Sequence, residues 1–351
     1  MTRSGRRDCR IRDGNLRERW DAPTLSARFV RRRSGRSRLM PSILATAFLA
    51  AALTAAPTAA ASAAPGALAG YRMVDLGTLG GDSSYASAMN DRGDVVGRAQ
   101  AADGIYRGFL WRHGRMIDLG DFNPIDVNDR GQVVGTRGDG SGGYVWHRGV
   151  MRPLGAPSTL PVAINNRGQV LGRTDAGPVL WTNGRARPLA LGEVSDVNER
   201  GQVSGGVYVP GGFHAALWHS GRVTDLGAGP FDRSNTYALN DRGWVIGWQF
   251  SAEQFERGIL WRHGRALDVG TLGGSFTQLR AINNRGEILA GSQATDGSAR
   301  PALWRRGVLH DLSLAGVSTD GEVVDLDDRG RIAASIRPVG GVSRAVVYHP
   351  R

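Results

Sequence analysis

Apolar residues occur along most of this chain in short runs separated by turn residues, and the pattern lacks the 3.6-residue period of a helix. Within residues 84–120 the pattern predicts four strands, at 84–90, 94–97, 108–111 and 116–120. Tight turns at 90–93 and 113–115 join the first two and the last two. Four such strands form a small antiparallel sheet that can bury its faces only by packing against neighbouring sheets.

The turn at 90–93 is one copy of a motif of Asn, a polar residue, Arg and Gly. The Asn side chain can bond its own backbone two residues on, and Gly accepts the left-handed conformation. The copies, which number repeats 1 to 7, are 90–93, 128–131, 165–168, 198–201, 240–243, 283–286 and a degenerate Asp-Asp-Arg-Gly at 327–330. Their spacings of 38, 37, 33, 42, 43 and 44 residues predict a repeat architecture. Residues that recur once per repeat are predicted to be structural.

A large aromatic residue recurs in the third strand of every repeat. A Trp at one fixed position suits packing of sheet on sheet, since it is large and its N–H can find a partner. A ring of exposed aromatic residues for sugars is the alternative. The positions are Trp111, Trp146, Trp181, Trp218, Trp261, Trp304 and Tyr348.

The two ends of the repeat region complement each other. Repeat 7 ends at 346–348, which matches a third strand, and residues 71–77 match a fourth strand. The N-terminal strand can therefore complete the last sheet and close a ring without exposed edges. We predict an all-β fold over residues 71–351, a seven-bladed β-propeller of four-stranded antiparallel blades closed by strand 71–77. An open β-solenoid is the alternative.

The segment before the repeats has the character of an export signal. Residues 1–38 hold 13 Arg and 4 acids, so they carry +9 of the formal +12, and the remaining +3 gives no indication of nucleic-acid binding. An apolar core at 43–56 and a small-residue site at 61–63 follow, within a signal region at 39–64 and a linker at 65–70. Cleavage near Ala63 predicts a secreted protein. The alternative, a membrane anchor, is disfavoured because the apolar stretch is shorter than the roughly 20 residues of a spanning helix. A translation start at Val30 would shorten the leader.

Several motifs together resemble a known family. Residues 78–81 and 271–274 both read Thr-Leu-Gly-Gly, and residues 213–218 read Phe-His-Ala-Ala-Leu-Trp. With the Ala-x-Asn-x-x-Gly-x-Val-x-Gly pattern around the turns, the chain resembles the HAF-type probable extracellular repeat family over about four-fifths of its length. The resemblance implies a secreted or cell-surface repeat protein and supplies no catalytic residue or ligand.

Candidate chemistry is sparse. The only cysteine, Cys9, lies in the leader, and we find no nucleophile or metal motif, so we predict no catalytic residue, metal or cofactor. Five histidines follow the repeated aromatic position and are interpreted as turn or packing residues: His113, His147, His219, His263 and His349. His214 and His310 lie elsewhere, without an obvious partner in the sequence.

Alternating strands place the loops on two faces. The face with the repeated turns, here the constant face, carries arginines that are either solvated turn residues beside acids or, in a sharper hypothesis, an anion-binding rim at the channel mouth. These are Arg92, Arg130, Arg167, Arg200, Arg242, Arg285 and Arg329. The opposite, variable face carries loops of unequal length, where binding commonly occurs on a rigid scaffold. Its candidate contacts are Asp82, Tyr85, Tyr106, Phe231, Asp232, Phe255 and Phe276.

The sequence therefore predicts a monomeric, exported, non-catalytic binding scaffold. Its expected partner is an extracellular glycan, cell-wall polymer or protein, with no nucleic acid and no stable membrane span. Two alternatives stay open. One is a secreted carbohydrate-active hydrolase or lyase with paired carboxylates on the variable face, and the other is a purely structural surface protein.

Overall fold

The computed structural model describes residues 70–155, 158–251, 254–338 and 341–351. The predicted leader, signal region and most of the linker lie outside these residues. No helix in the described part of the chain is long and apolar enough to cross a membrane.

Strands dominate the described residues. Five separate sheets have four antiparallel strands each. The sheet of repeat 1 consists of β2 (Gly80–Met89), β3 (Val95–Ala101), β4 (Tyr106–Arg112) and β5 (Arg115–Gly120), and that of repeat 2 consists of β6 (Phe122–Val127), β7 (Val133–Arg137), β8 (Gly143–His147) and β9 (Val150–Pro153). The sheet of repeat 3 consists of β10 (Leu160–Ile164), β11 (Val170–Thr174), β12 (Gly177–Thr182) and β13 (Arg185–Pro188). The sheet of repeat 6 consists of β22 (Gly273–Ile282), β23 (Ile288–Ala294), β24 (Ala299–Arg305) and β25 (Val308–Asp311). The fifth combines β26 (Gly321–Leu326), β27 (Ile332–Ile336) and β28 (Arg344–Pro350) with β1 (Tyr71–Asp75).

Repeats 4 and 5 depart from the predicted arrangement. Their strands form one eight-stranded sheet: β14 (Glu193–Val197), β15 (Val203–Val209), β16 (Gly212–His219), β17 (Arg222–Asp225), β18 (Arg233–Leu239), β19 (Val245–Ser251), β20 (Gln254–Arg262) and β21 (Arg265–Asp268). The prediction of seven separate four-stranded blades is therefore wrong, since the structure has five such blades and this longer sheet.

Close approach of β16 and β18 explains the fused sheet. Phe213 pairs with Arg233 in a parallel bridge. A Cβ on Gly212 would lie 2.3 Å from the Asp232 carbonyl oxygen, so only glycine permits this approach. The N–H of Ala215 also donates to the Ser234 hydroxyl at 2.8 Å.

The predicted joining of the chain ends is confirmed. β1 pairs antiparallel with β28, with Tyr71 opposite Pro350 and Asp75 opposite Val346. The first strands of successive repeats contact one another around a ring, and β2 contacts β26 to complete it. The result is an all-β propeller rather than an open solenoid.

The repeated asparagine links each turn to the next. In repeat 1, Asn90 Oδ1 accepts the N–H groups of Arg92 and Asp94, and its Nδ2 donates to the Asn128 carbonyl at 2.9 Å. The asparagines of repeats 2 to 6 donate in the same way to the carbonyl of the following turn. Gly93 has φ +84°, as predicted for the turn glycine. These bonds explain why Asn and Gly recur.

The repeated aromatic residues pack between sheets, as predicted. Trp181, Trp218, Trp261, Trp304 and Tyr348 are buried, and Trp111 and Trp146 are half-buried. One detail differs from expectation, because the buried Nε1 of Trp261 has no hydrogen-bond partner among the described residues.

Candidate functional site

The central channel opens on the constant face among acids. Its mouth is lined by the first two residues of every repeated turn. The second position holds Asp91, Asp129, Asn166, Glu199, Asp241, Asn284 and Asp328. The seven turn arginines are exposed and none of them lines the mouth. The mouth is therefore lined by carboxylates and amides.

The acids at the mouth accept hydrogen bonds from adjacent turns. The Asp328 N–H donates to Asp91 Oδ1 at 2.8 Å, and the Glu199 N–H donates to Asp241 Oδ1 at 2.8 Å. Similar bonds join the second residues of the other consecutive turns from repeat 2 onward. Burial raises the pKa of Asp91 to about 6, with Asp328 and Asp129 adding repulsion. These acids have a structural role, since each accepts a bond from an adjacent turn.

Three further aspartates lie below the mouth, at a position where the other four repeats have alanine. Each binds two backbone N–H groups, one in its own repeat and one in the next. Asp126 binds those of Val127 and Ile164, both at 2.7 Å. The other two act in the same way, Asp196 on Val197 and Leu239, and Asp325 on Leu326 and Met89. The three therefore bind six inward-pointing amides.

Burial dominates the electrostatics of these three groups. It raises the pKa of Asp196 and of Asp325 to about 7 and also raises that of Asp126, against the opposing effect of the backbone bonds. Mutual repulsion adds to the shift of Asp196 and Asp325.

A cleft on the variable face, here the 6/7 cleft, separates the first strands of repeats 6 and 7. It has a volume of about 280 Å³. β22 contributes Phe276, Gln278 and Arg280 from one wall, while Thr319 and Glu322 lie on the other. Of the predicted contacts on this face, Phe276 is the one that lines the cleft.

The cleft exists because of one missing side chain. Gly291 lies opposite Gln278 in β23 and lines the cleft, and a Cβ built on it would meet nothing within 4 Å. The same register position holds Arg98, Thr136, Arg173, Gly206, Trp248 and Ser335 in the other repeats. At Gly206 the corresponding space is filled, since a Cβ there would lie 2.2 Å from the ring of Phe213.

Ion pairs fix the charged groups of the cleft. Arg280 pairs with Glu322 across it. Arg300 on its outer side pairs with Asp296 and, at 2.9 Å, with Asp311. Hydrogen bonds from Ser298, with the adjacent Arg300, lower the pKa of Asp296 to about 2. The cleft therefore presents one aromatic ring beside an amide, a hydroxyl and a paired carboxylate.

The other predicted contacts are dispersed over the variable face. Tyr85 and Tyr106 come together with ring centroids 6.0 Å apart, and Arg98 lies 5.6 Å over the Tyr106 ring. Asp82 lies in β2, at the start of repeat 1. Phe231 and Asp232 precede β18, and the side chain of Phe255 lies outside the described residues.

Sequence reasoning missed the polar half of the cleft and one exposed aromatic. Gln278, Arg280 and Glu322 were not singled out, although aligning the repeats at Gly291 would have shown the lost side chain beside them. Tyr208 is 75% exposed and packs edge-on against Phe213, with centroids 4.9 Å apart.

His214 has a partner that was not predicted. Its Nδ1 lies 3.0 Å from Oδ2 of Asp225, which is 11 positions further along the chain. Arg107 with Asp118, Arg257 with Asp268 and Arg300 with Asp311 have the same spacing and form ion pairs. His214 therefore replaces an arginine in a repeated structural pair, and the recurring spacing was the signal for it. The pKa of the other unassigned histidine, His310, is lowered by burial and by the nearby positive charge of Arg305.

Comparisons with known proteins show the fold. No protein family matches the sequence, and no curated protein matches it detectably. The β-propeller domain of the Trilobed protease from Pyrococcus furiosus is similar in structure, with a TM-score of 0.56 and 11% identity over 77% of this chain and 96% of that domain. A puromycin-hydrolyzing peptidase of Mycobacterium tuberculosis has a TM-score of 0.53 and 13% identity over 79% of this chain and 50% of its own.

A puromycin hydrolase solved with PGG gives a TM-score of 0.50 and 15% identity, over 76% of this chain and 53% of its own. This chain spans about half the length of the two hydrolases. At these identities the likeness establishes a β-propeller and nothing about activity.

Proposed function

We propose that this protein is an exported, non-catalytic scaffold that binds a carbohydrate in the 6/7 cleft. The observation that carries the proposal is the open space beside Gly291, at a position that five other repeats fill with a larger side chain and the sixth with a neighbouring ring. A propeller provides a rigid frame, and a local opening in such a frame is where a ligand can be held.

The chemistry of the cleft suits a sugar. The Phe276 ring supplies an apolar surface, and Gln278, Thr319 and Glu322 supply an amide, a hydroxyl and a carboxylate for hydroxyl groups. The volume of about 280 Å³ is at the small end of the roughly 300–1,000 Å³ range of ligand pockets. A ligand of one or two sugar rings fits this size better than a long polymer segment.

Binding is favoured over hydrolysis by the composition of the lining. Among the residues that line the cleft, Glu322 is the carboxylate, and it is paired with Arg280. Glycoside hydrolysis commonly uses two carboxylates flanking the scissile bond. The lining therefore supports recognition rather than turnover.

Export is part of the proposal and rests on the sequence. The basic leader, the apolar core at 43–56 and the small residues at 61–63 support cleavage by the secretory pathway. The resemblance to HAF-type repeats supports the same location. N-terminal sequencing of protein recovered from the culture medium tests it, and an intact leader on a purely intracellular product would contradict it.

The purified protein should retain sugars from a panel of cell-wall and extracellular glycans without releasing smaller products. Gly291→Trp copies the residue that repeat 5 has at this position, so the variant should fold while filling the cleft and losing at least ten-fold in affinity. Phe276→Ala should weaken binding as well. Tyr208→Ala, an exposed aromatic outside the cleft, is the matched control and should bind normally. Undiminished binding by a folded Gly291→Trp protein would reject the cleft.

A further inference from the structure

A second pocket, here the 3/4 pocket, lies on the constant face between repeats 3 and 4. It has a volume of about 150 Å³. Three arginines line it, Arg167 and Arg200 from the repeated turns and Arg187 from β13. Gln169, Thr182 and Ser220 complete the polar lining. It is distinct from the 6/7 cleft, which opens on the opposite face.

The three guanidinium groups lack partners of opposite charge. Within the described ranges, none of them takes part in an ion pair. Glu199 is near enough to Arg167 to be stabilised by it, but its Oε1 accepts the Asn166 N–H at 2.5 Å and the residue lines the channel mouth. The pocket therefore holds three guanidinium groups, none of which is paired with a carboxylate among the described residues.

The pocket is also ordered by specific contacts. The Arg187 guanidinium lies 4.9 Å over the Trp218 ring, a cation–π arrangement that fixes its position. Gln169 Oε1 accepts from Asn165, and its Nε2 donates to the Thr182 hydroxyl at 3.0 Å. The Thr182 hydroxyl hydrogen is therefore left free to donate into the pocket.

The same molecule contains an equivalent pocket that is neutralised. Between repeats 6 and 7 on the constant face, Arg285, Arg305 and Arg329 line a pocket of about 120 Å³ together with Glu287. The buried Glu287 pairs with Arg285 at 2.6 Å and with Arg305 at 3.2 Å. Glu287 and Gln169 occupy the same turn position, four residues after the repeated asparagine. Repeat 3 thus has the two turn arginines without the internal carboxylate, and its third arginine, Arg187, lies opposite Leu180 where repeat 6 has His310 opposite Leu303.

We infer that the 3/4 pocket binds a tetrahedral oxyanion, either free phosphate or sulfate or the same group as an ester on an extracellular polymer. Arginine forks match the geometry of such oxygens, and an external anion would supply the charge that Glu287 supplies between repeats 6 and 7. The volume accommodates one such group with its link to a polymer.

Titration calorimetry of the full chain with inorganic sulfate, inorganic phosphate, dextran sulfate and unsulfated dextran tests the inference and separates the sources. Binding of the free ions identifies a small-anion site, and binding of dextran sulfate alone identifies a polymer ester site. Unsulfated dextran should not bind. Gln169→Glu installs the internal carboxylate and should reduce affinity at least ten-fold, and Arg187→Gln with Arg200→Gln should do the same.

The pocket between repeats 6 and 7 provides the controls. Arg285→Gln with Arg329→Gln removes the same number of charges from the same face and should leave binding unchanged. Glu287→Gln should add a second, weaker site. Equal loss in both double variants, or full affinity in a folded Gln169→Glu protein, would overturn the inference. Neither result depends on the 6/7 cleft, because sugar binding there should be weakened by Gly291→Trp and not by these changes.

Discussion

Between repeats 7 and 1, where the ring closes, Asp327 and Arg331 replace the single asparagine that links each of the remaining pairs of adjacent turns. Arg331 Nε donates to Asp327 Oδ2 at 2.5 Å, and its Nη2 donates to the Asp91 carbonyl at 3.0 Å. An aspartate lacks the donor that Asn90 and its counterparts use, so the arginine makes the link to the following turn instead. In the degenerate seventh motif, an aspartate–arginine pair thus makes the link to the next turn that an asparagine makes in the other repeats.

Removing only the arginine should be costly. Arg331→Met leaves Asp327, whose side chain is fully buried, without its charged partner. Breaking a buried ion pair in this way costs about 3–5 kcal/mol. Urea unfolding monitored by tryptophan fluorescence should show a loss of this size with an unchanged m-value.

The chain offers a matched rescue. Asp327→Asn with Arg331→Gln recreates the pair that repeat 2 has in Asn128 and Gln132, whose side chains bond at 2.8 Å. This double variant should recover most of the stability lost in Arg331→Met. A double variant as unstable as the single one would show that the asparagine link does not work at the seam.

A buried hydroxyl in repeat 4 should be dispensable. Ser204 is fully buried and its Oγ has no partner within the described residues. Repeat 7 has Ala333 at this position, paired with Val347 as Ser204 is with Leu217. Ser204→Ala should therefore leave the free energy of unfolding unchanged or raise it by about 1 kcal/mol. A loss above that amount, measured by thermal and urea unfolding, would imply a bound water at Ser204.

Stability should fall as the pH rises from 5 to 8. The folded-state pKa of Asp196 and of Asp325 is about 7, above the ordinary value of 3.8, so the folded protein holds more protons than the unfolded chain between these values. The contribution of these two aspartates to the free energy of unfolding is fully present below pH 3.8 and is lost as the pH rises through about 7. Urea midpoints at closely spaced pH values measure the trend.

Asp196→Asn identifies the source of that trend. The amide does not titrate, so the midpoint of this variant should change less between pH 5 and 8 than that of the natural chain. Asp296→Asn is the control, because hydrogen bonds lower the pKa of Asp296 to about 2 and its titration lies far below this range. Parallel pH profiles for all three proteins would contradict the assignment.

The hydroxyl of Ser84 should hold the N-terminal strand in place. It donates to the Gly77 carbonyl at 2.7 Å and accepts the Ala345 N–H at 3.0 Å, so it joins the residues that follow β1 to β28. Ser84→Ala leaves both groups unpaired, at a cost of about 1–3 kcal/mol. Hydrogen exchange should accelerate at residues 71–76.

Ser234 makes the equivalent bonds within the fused sheet, to the Gly227 carbonyl and the Ala215 N–H, both at 2.8 Å. Ser234→Ala should therefore destabilise the protein without faster exchange at 71–76. Equal exchange in the two variants would mean that the Ser84 hydroxyl has no special role at the junction.

Local chemistry made much of the fold predictable. The turn asparagines and glycines, the packed aromatics and the strand at 71–77 all follow from short-range rules, and the structure confirms them. The fused sheet of repeats 4 and 5 does not follow from such rules. It depends on how closely Gly212 approaches Asp232, and that is decided by the packing of whole repeats.

The site was less predictable than the fold. Phe276 was predicted as a contact because the connection before repeat 6 is long, whereas the structure places it in β22 and the cleft beside it arises from an absent side chain at Gly291. The sequence likewise did not indicate which turn residues line the channel mouth. The residues at the second turn position line it through bonds to adjacent repeats, and sequence alone does not show which of two polar neighbours faces inward.

The three channel aspartates imply a rule of parity. Each carboxylate accepts two backbone N–H groups, one in its own repeat and one in the next, so each aspartate satisfies the amides of two adjacent repeats. Seven repeats leave one over, and among the described residues the N–H of Ile282 is the one without a side-chain acceptor. Duplicating repeat 6 with an aspartate in place of Ala281 would make the count even. In such an eight-repeat ring, four aspartates could accept all eight of these amides. A ring with an odd number of repeats always leaves one amide without an aspartate when each aspartate accepts two.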